Sequence, residues 1–353
     1  MRSYLLFATQ LYAFAILRPI QAAIRQRGDR AAWFVSDTLK SYLRADETLL
    51  KTIAAVEKYH PAAVFVAGNV VPDFFPGIKV EVFHGFHVWK RDPARGHFRL
   101  RGFFDLYCTQ GPDTTRHFEE LAKKHGYFRV VETGWPKMDP LFSPEIFGQD
   151  VVSTPAVDRS DPRPVILLAS TFTPRLSCAR PLRETVAALA ATGKWRWIVN
   201  FHPKMDRSVV ADYQSIQTDD LSYVETDDIV PLLRQADLIV ADTSSIVSEF
   251  CLQQKPAVTF RNRRPGAHLI DISDPDALAP AIETALSRPP ALMTAIREYA
   301  RRIHPCRDGQ SSVRVLAAVD QWMAAGRRGL ARKPLNLVRR LKIRKEMGYY
   351  RWR

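Results

Sequence analysis

Ala236-Asp237-Leu238-Ile239-Val240-Ala241-Asp242-Thr243-Ser244-Ser245-Ile246-Val247-Ser248-Glu249-Phe250 decides the fold. Leu238–Ala241 is an unbroken apolar run, the pattern of a strand covered on both faces in a parallel sheet. Asp242-Thr243-Ser244-Ser245 then offers several side chains that can cap a helix, and from Ser244 to Gln253 the apolar residues recur at helical spacing. A buried strand that turns directly into a helix is half of a βαβ unit.

Working outward, the same alternation recurs on both sides. Towards the C-terminus Ala257–Phe260 reads as the next strand. Towards the N-terminus lie strands at Leu221–Val224, Trp195–Asn200 and Pro164–Ala169, with helices at Asp227–Gln235 and Pro181–Ala191. An earlier set has strands at Tyr4–Thr9, Ala31–Ser36, Ala63–Ala67, Lys79–His84, Leu106–Thr109 and Arg129–Glu132, and helices at Tyr12–Arg27, Glu47–Tyr59 and Asp113–His125. Alternating strands and helices imply an α/β chain with parallel sheets. Between Ser143 and Pro164 the periodicity gives way to Ser, Pro, Asp and Gly, as a linker does. The expected domains are therefore 1–145 and 164–325, joined by a linker at 146–163 and followed by a tail at 326–353. A length of 353 residues suits two domains.

The tail holds most of the net charge. Eleven Lys/Arg stand between Gly326 and Arg353 against one acid, Glu346, which is +10 of the chain's +14. These bases, including Arg339, Arg340, Lys342, Arg344 and Lys345, interleave with Leu330, Leu335, Leu337, Val338, Leu341, Ile343, Tyr349, Tyr350 and Trp352. Such an amphipathic helical segment suits an anionic membrane surface. A solvated or body-packed tail and a nucleic-acid arm are the alternatives, and the nearly balanced body argues against a duplex-tracking stripe. Cys108, Cys178, Cys251 and Cys306 form no CxxC pair, so no zinc site or disulfide framework is expected and a reducing, cytoplasmic setting fits. The apolar start of the chain reads as a strand and an amphipathic helix and not as an export signal.

Open α/β sheets bind ligands beyond the carboxyl ends of their strands. Three such ends carry chemistry. His84, with Gly85 expected to turn the chain, is a candidate general base. His202, followed by Pro203 and Lys204, can meet a phosphate or a leaving group. Asp242, Thr243, Ser244 and Ser245 open a helix whose N-terminus suits an anion. The bland alternatives are a turn histidine in the first two cases and a plain helix cap in the third.

These segments resemble the CDP-glycerol glycerophosphotransferase family, teichoic-acid primases and polymerases of B-type glycosyltransferase architecture. The resemblance spans roughly Val80 to Ile272. It rests on His84-Gly85, Thr133-Gly134-Trp135-Pro136-Lys137-Met138-Asp139-Pro140-Leu141-Phe142, Leu168-Ala169-Ser170-Thr171-Phe172, His202-Pro203, the Ala236–Phe250 segment and Lys255-Pro256. It implies two Rossmann-like domains facing across a cleft, and transfer of glycerol phosphate or a related polyol phosphate from a CDP-linked donor to a lipid-linked saccharide or polyol acceptor, with release of CMP. His84 would deprotonate the acceptor and His202 would stabilise charge on the donor. Thr171, Lys204, Asp242, Thr243, Ser244 and Ser245 would contact its phosphates, and Glu249 the ribose. No cofactor, metal or nucleic acid is implied, and the location is the inner face of the cell membrane. A nucleotide-sugar glycosyltransferase or a UDP-sugar 2-epimerase relative is the enzyme alternative; a membrane- or nucleic-acid-binding scaffold is the non-enzyme one.

Overall fold

The computed structural model describes residues 1–86, 98–143, 160–226 and 228–351. The chain forms two compact units, the first made of Met1–His84, Ala94–Ser143 and Cys306–Arg353 and the second of Gly85–Pro93 and Pro144–Pro305.

The first unit contains β1 (Ser3–Ala8), α1 (Ala13–Gln26), β2 (Arg30–Val35), α2 (Ile53–Tyr59), β3 (Ala63–Val66), β4 (Ile78–Glu81), β5 (Leu106–Thr109), α3 (Pro112–His125), β6 (Arg129–Glu132) and α4 (Asp139–Phe142). Its strands form one parallel sheet in the order β2-β1-β3-β4-β5-β6. Every residue of β1, β3, β4 and β5 is buried, which is why β1 and β3 read as largely apolar runs, while β4 alternates and buries Lys79 and Glu81 as well.

In the second unit lie β7 (Val165–Ser170), α5 (Ala179–Ala191), β8 (Arg196–Phe201), α6 (Arg207–Gln214), β9 (Leu221–Tyr223), α7 (Val230–Gln235), β10 (Leu238–Ala241), α8 (Ser245–Cys251), β11 (Ala257–Phe260), β12 (Ile270–Ile272), α9 (Leu278–Leu286) and α10 (Pro290–Ile303). Its parallel sheet runs β12-β11-β10-β7-β8-β9. Ile166, Leu168, Trp197, Val199, Leu238, Val240 and Val258 pack with α5, α6 and α9 into its core.

Several expectations need correction. The sequence boundary at 325 does not hold, because α11 (Ser311–Ala325) belongs to the first unit, as does everything from Cys306 onwards. Asp139 is the reason at one end of this helix: its buried carboxylate accepts hydrogen bonds from the Ser311 N–H at 2.8 Å and the Ser312 N–H at 2.7 Å, capping the N-terminus from 172 residues away. Towards the other end Asp320 pairs with Arg27 at 2.9 Å and with Arg2. Of the expected linker, 146–159 lies outside the described residues, and Arg163 is already fixed to Asp161 and Asp220, each at 2.7 Å. The helix expected from Glu47 begins only at Ile53, capped by Thr52, because the buried Glu47 carboxylate accepts from Arg18.

The basic tail is not a free appendage either. Lys333 reaches Asp105 at 2.7 Å, Asn336 Nδ2 donates to the Arg101 carbonyl at 2.6 Å, and Tyr349 donates to Glu57 at 2.9 Å. Gly102, at φ +77°, must be glycine here, since a Cβ would stand 2.7 Å from Pro334 Cγ. Within α12 (Leu337–Glu346), Ile343 enters the core of the first unit. Arg344 is buried, bonds Asp73 at 2.8 Å, and lies over the rings of Phe74 and Tyr349, so the expectation that it faces a membrane is overturned. Arg340 leans towards the same Asp73, at 3.8 Å.

Asp139→Ala removes two charge-assisted bonds and leaves two buried N–H groups unsatisfied. We expect a loss of about 3 kcal/mol in chemical denaturation. An unchanged midpoint would show that α11 does not depend on this cap.

Candidate functional site

Three adjacent strand ends of the first unit meet at His84. The chain leaves β4 and turns at Phe83, whose φ of +60° is a left-handed conformation that a bulky residue adopts only when its surroundings hold it there. The turn therefore falls on Phe83, not on Gly85 as the sequence suggested, and it ends β4 before His84. Two contacts hold Phe83. Its ring packs edge-on against Phe118 at 5.0 Å, and its carbonyl accepts the Trp135 Nε1–H at 3.3 Å. Trp135 and Asp139 give the Gly134–Phe142 motif a structural purpose, since one holds the turn before His84 and the other holds α11.

His84 packs against Tyr12, which follows β1, with ring centroids 5.4 Å apart and planes tilted by 31°, and its Nδ1 lies 3.2 Å from the Ala67 carbonyl, which follows β3. A carbonyl can only accept, so Nδ1 carries the proton and the neutral ring presents an unprotonated Nε2. The ring keeps an exposed face, yet the surrounding protein desolvates it and lowers its pKa, with the Ala67 carbonyl opposing in part. At neutral pH this is a base in its ready form. Three residues earlier, Glu81 is buried at the end of β4, and burial raises its pKa well above the carboxylate range against the pull of Arg101. Neither Tyr12 nor Glu81 stood out in the sequence, because neither sits in a motif.

The second unit brings β10, β7 and β8 side by side, with Ala241 opposite Ala169 and Ser170 opposite Phe201. Asp242, Thr171 and His202 consequently follow three neighbouring strands. Asp242 is fully buried, and its Oδ2 accepts from the Ser170 hydroxyl at 2.7 Å, the Thr171 N–H at 2.9 Å and the Cys178 N–H at 3.2 Å. This carboxylate ties β10 to the loop after β7 and to the start of α5. It is thereby a positioning group, and it does not stand where the phosphate contact expected of it would be made. Thr243 is also buried, its hydroxyl accepting the Arg263 N–H at 3.0 Å. Ser244 is the N-cap of α8, with φ −130° and ψ 146°, but its side chain makes no cap hydrogen bond. Ser245 opens the helix beside it, and both serines are half-buried. Glu249 is buried one turn further along α8.

His202 is exposed and lies against Phe172, ring centroids 4.6 Å apart. Its Nδ1 accepts the Lys204 N–H at 3.0 Å, so the neutral ring carries its proton on Nε2. Lys204 is exposed alongside. The two histidines are held in opposite tautomers, His84 with a bare Nε2 and His202 with an Nε2–H. Elsewhere in this unit His268 stacks on Tyr299 at 3.7 Å, and Tyr299 meets Ser248 at 2.6 Å; burial, with Arg302 nearby, brings the His268 pKa down to about 4. Among the described residues no group of three His, Cys, Asp or Glu side chains is placed to hold a metal.

Two parallel sheets with ligand-suited strand ends define a Rossmann-like pair of the B-type glycosyltransferase kind. No protein-family model matches the chain, and no curated protein matches it. Among solved structures it is similar to the wall teichoic acid polymerase TagF, with a TM-score of 0.66 and 13% identity over 92% of this chain and 89% of that one. It is equally similar to a putative UDP-N-acetylglucosamine 2-epimerase from Listeria monocytogenes, with a TM-score of 0.65 and 13% identity over 94% and 99% of the two chains. The S. aureus MnaA–UDP co-structure matches at 0.64 and 16% identity over 95% and 99%. Identities this low establish the fold.

Nitrogen NMR of the histidine rings checks the tautomers. We expect His84 protonated on Nδ1 and His202 on Nε2 at neutral pH; His84 protonated on Nε2 would remove its role as a base. The His84 midpoint should fall below the ordinary 6.5. Because the folded value is the depressed one, the unfolded chain takes up protons first, so this contribution to stability is full above pH 6.5 and is lost as pH falls through the folded midpoint. For Asp242→Ala, denaturation should show a loss of at least about 3 kcal/mol, from two orphaned N–H groups and a lost hydroxyl bond; Asp242→Asn, which keeps an acceptor, should lose less.

Proposed function

We propose that the chain transfers glycerol phosphate, or a related polyol phosphate, from a CDP-linked donor to a hydroxyl of a lipid-linked acceptor and releases CMP. The opposite tautomers of His84 and His202 are the observation that carries this reading, because phosphoryl transfer to a hydroxyl needs one group that accepts a proton and another that donates to the departing phosphate.

In this scheme the bare Nε2 of His84 takes the acceptor's proton as the acceptor oxygen attacks the phosphorus that bears the polyol. The bond from that phosphorus to the bridging oxygen breaks, and CMP departs with the electron pair. His202 donates its Nε2–H to the donor phosphates, and Lys204 supplies positive charge beside it. Ser244 and Ser245, with the first N–H groups of α8, hold the pyrophosphate, while Asp242 and Thr243 keep the loops that carry them in place. Thr171 orders the loop after β7, and Glu249 accepts from the ribose. The reaction takes place on the cytoplasmic face of the membrane, and no helix among the described residues is long and apolar enough to cross it.

A sugar-nucleotide reading has support of its own, since the putative UDP-N-acetylglucosamine 2-epimerase and the MnaA–UDP co-structure match the fold as well as TagF does. Against it, Asp242 is a fully buried strand-end carboxylate whose Oδ2 already accepts from three donors, which leaves it out of reach of solvent-borne sugar hydroxyls.

Calorimetric titration with CDP-glycerol and with UDP-GlcNAc separates the two. We expect binding of CDP-glycerol that Ser244→Ala/Ser245→Ala abolishes, and a preference for UDP-GlcNAc would move the protein to the sugar-nucleotide class. His84→Asn should then lower turnover about 10²- to 10⁴-fold with donor affinity retained, whereas His202→Ala should lower it about 10²- to 10³-fold and also weaken donor binding.

A further inference from the structure

The docked tail leaves one face of α12 that the body does not cover. Successive helical residues are 100° apart, so Ile343, Arg344 and Arg340, which engage the first unit, fix the opposite face as that of Val338, Leu341, Lys342 and Lys345. A solvated helix face should be polar. Here Val338 is 81% exposed, more than any other large apolar residue described except Met1. Five of the eleven exposed large apolar residues, Leu335, Leu337, Val338, Leu341 and Tyr350, fall between positions 335 and 350. Lys342 and Lys345 stand among them, both exposed, and Glu346, the only acid in the helix, lies 3.9 Å from Lys342. Beside this face Leu341, Lys342, Arg344, Lys345, Tyr349 and Tyr350 line a hollow of about 510 Å³.

We propose that this face seats the protein on an anionic phospholipid surface. Val338 and Leu341 enter the boundary between headgroups and acyl chains, and Tyr350 sits at headgroup level. Lys342 and Lys345 lay their stems along the apolar surface and meet the lipid phosphates. Arg344 takes no part, being committed to Asp73. The helix is held by Ile343, Arg344 and the stack of Tyr349 on Phe74 at 4.1 Å, so the surface is presented ready-made and binding costs little ordering of the tail.

Other occupants fit less well. A second copy packed symmetrically on this face would set its lysines against the same lysines, with Glu346 alone to offset them. Nucleic acid would meet the lysines but has no use for Val338 and Leu341.

The test is co-sedimentation of the full chain with vesicles of mixed phosphatidylglycerol and phosphatidylcholine, and with phosphatidylcholine alone. We expect binding to the anionic vesicles only. Each lysine near the surface contributes about five-fold, so Lys342→Glu/Lys345→Glu should weaken binding about 25-fold or more. Val338→Ser/Leu341→Ser should weaken it about ten-fold or more. These variants leave the anchoring residues untouched and should melt at the wild-type temperature, as a thermal scan verifies. Equal partition of the wild-type chain to both vesicle types, or variants that bind as the wild type does, would overturn the proposal. So would a dimer in sedimentation velocity that Val338→Ser/Leu341→Ser dissolves, which would give the face to a second copy. The readout is lipid binding and not turnover, so it stands or falls independently of the donor titration.

Discussion

The second unit turns on one carboxylate oxygen. Asp242 Oδ2 lies at the end of β10 and gathers a hydroxyl from the last residue of β7, the N–H of the next residue, and the N–H that precedes α5. A buried carboxylate is expensive unless its charge is met, and here donors converge on it, including the exposed-donor end of a helix, where negative charge is favoured. The consequence is geometric. With β10 and β7 locked together, β8 follows in register, and His202 and the serines of α8 sit in fixed places around the same sheet edge. An anion from the protein itself already occupies the start of α5.

The first unit uses a different device for the same end. There the strain is in the backbone, at Phe83, where a left-handed conformation costs on the order of 1–3 kcal/mol and is maintained by neighbouring packing. Trp135 fixes the carbonyl and Phe118 the ring, so the orientation of His84 depends on residues from β6's exit and from α3. The Ala67 carbonyl then selects the tautomer. A carbonyl at that place is worth more to a base than a carboxylate would be, because a carboxylate would raise the histidine's pKa and hold a second proton on the ring.

Much of this was legible in the sequence. Strands such as Leu238–Ala241 and Ala63–Val66 are read from unbroken apolar runs, and the strand ends follow from them, so the positions of His84, His202 and Ser244 were accessible without coordinates. What each does there was not. The motif that includes Trp135 and Asp139 looks the same in sequence whether it binds a ligand or holds α11, and only contacts 172 residues apart reveal the second purpose. Asp242 was expected at a phosphate because polar residues at a helix start suggest one; that its charge is spent inward is a property of Ser170, Thr171 and Cys178. Periodicity likewise could not show that the chain returns to the first unit after Pro305, since Ser311–Ala325 is an amphipathic helix whichever core it joins.

The tail shows how far composition reaches and where it stops. Eleven bases in 28 residues predict attraction to anions but not which bases are free to exert it. Docking sorts them. Asp73 and Asp105 draw Arg344, Arg340, Lys333 and Arg327 towards the body as tethers, and of these Arg344 is buried. What remains outside is Arg328, Arg332, Arg339, Lys342, Lys345 and Arg351, mixed with Val338 and leucines. A tail meant only for solvent would gain nothing from the apolar members, and one meant only for docking would have buried them. The two faces of α12 therefore answer to two different environments, one supplied by the protein's own acids and the other by whatever lies beyond its surface.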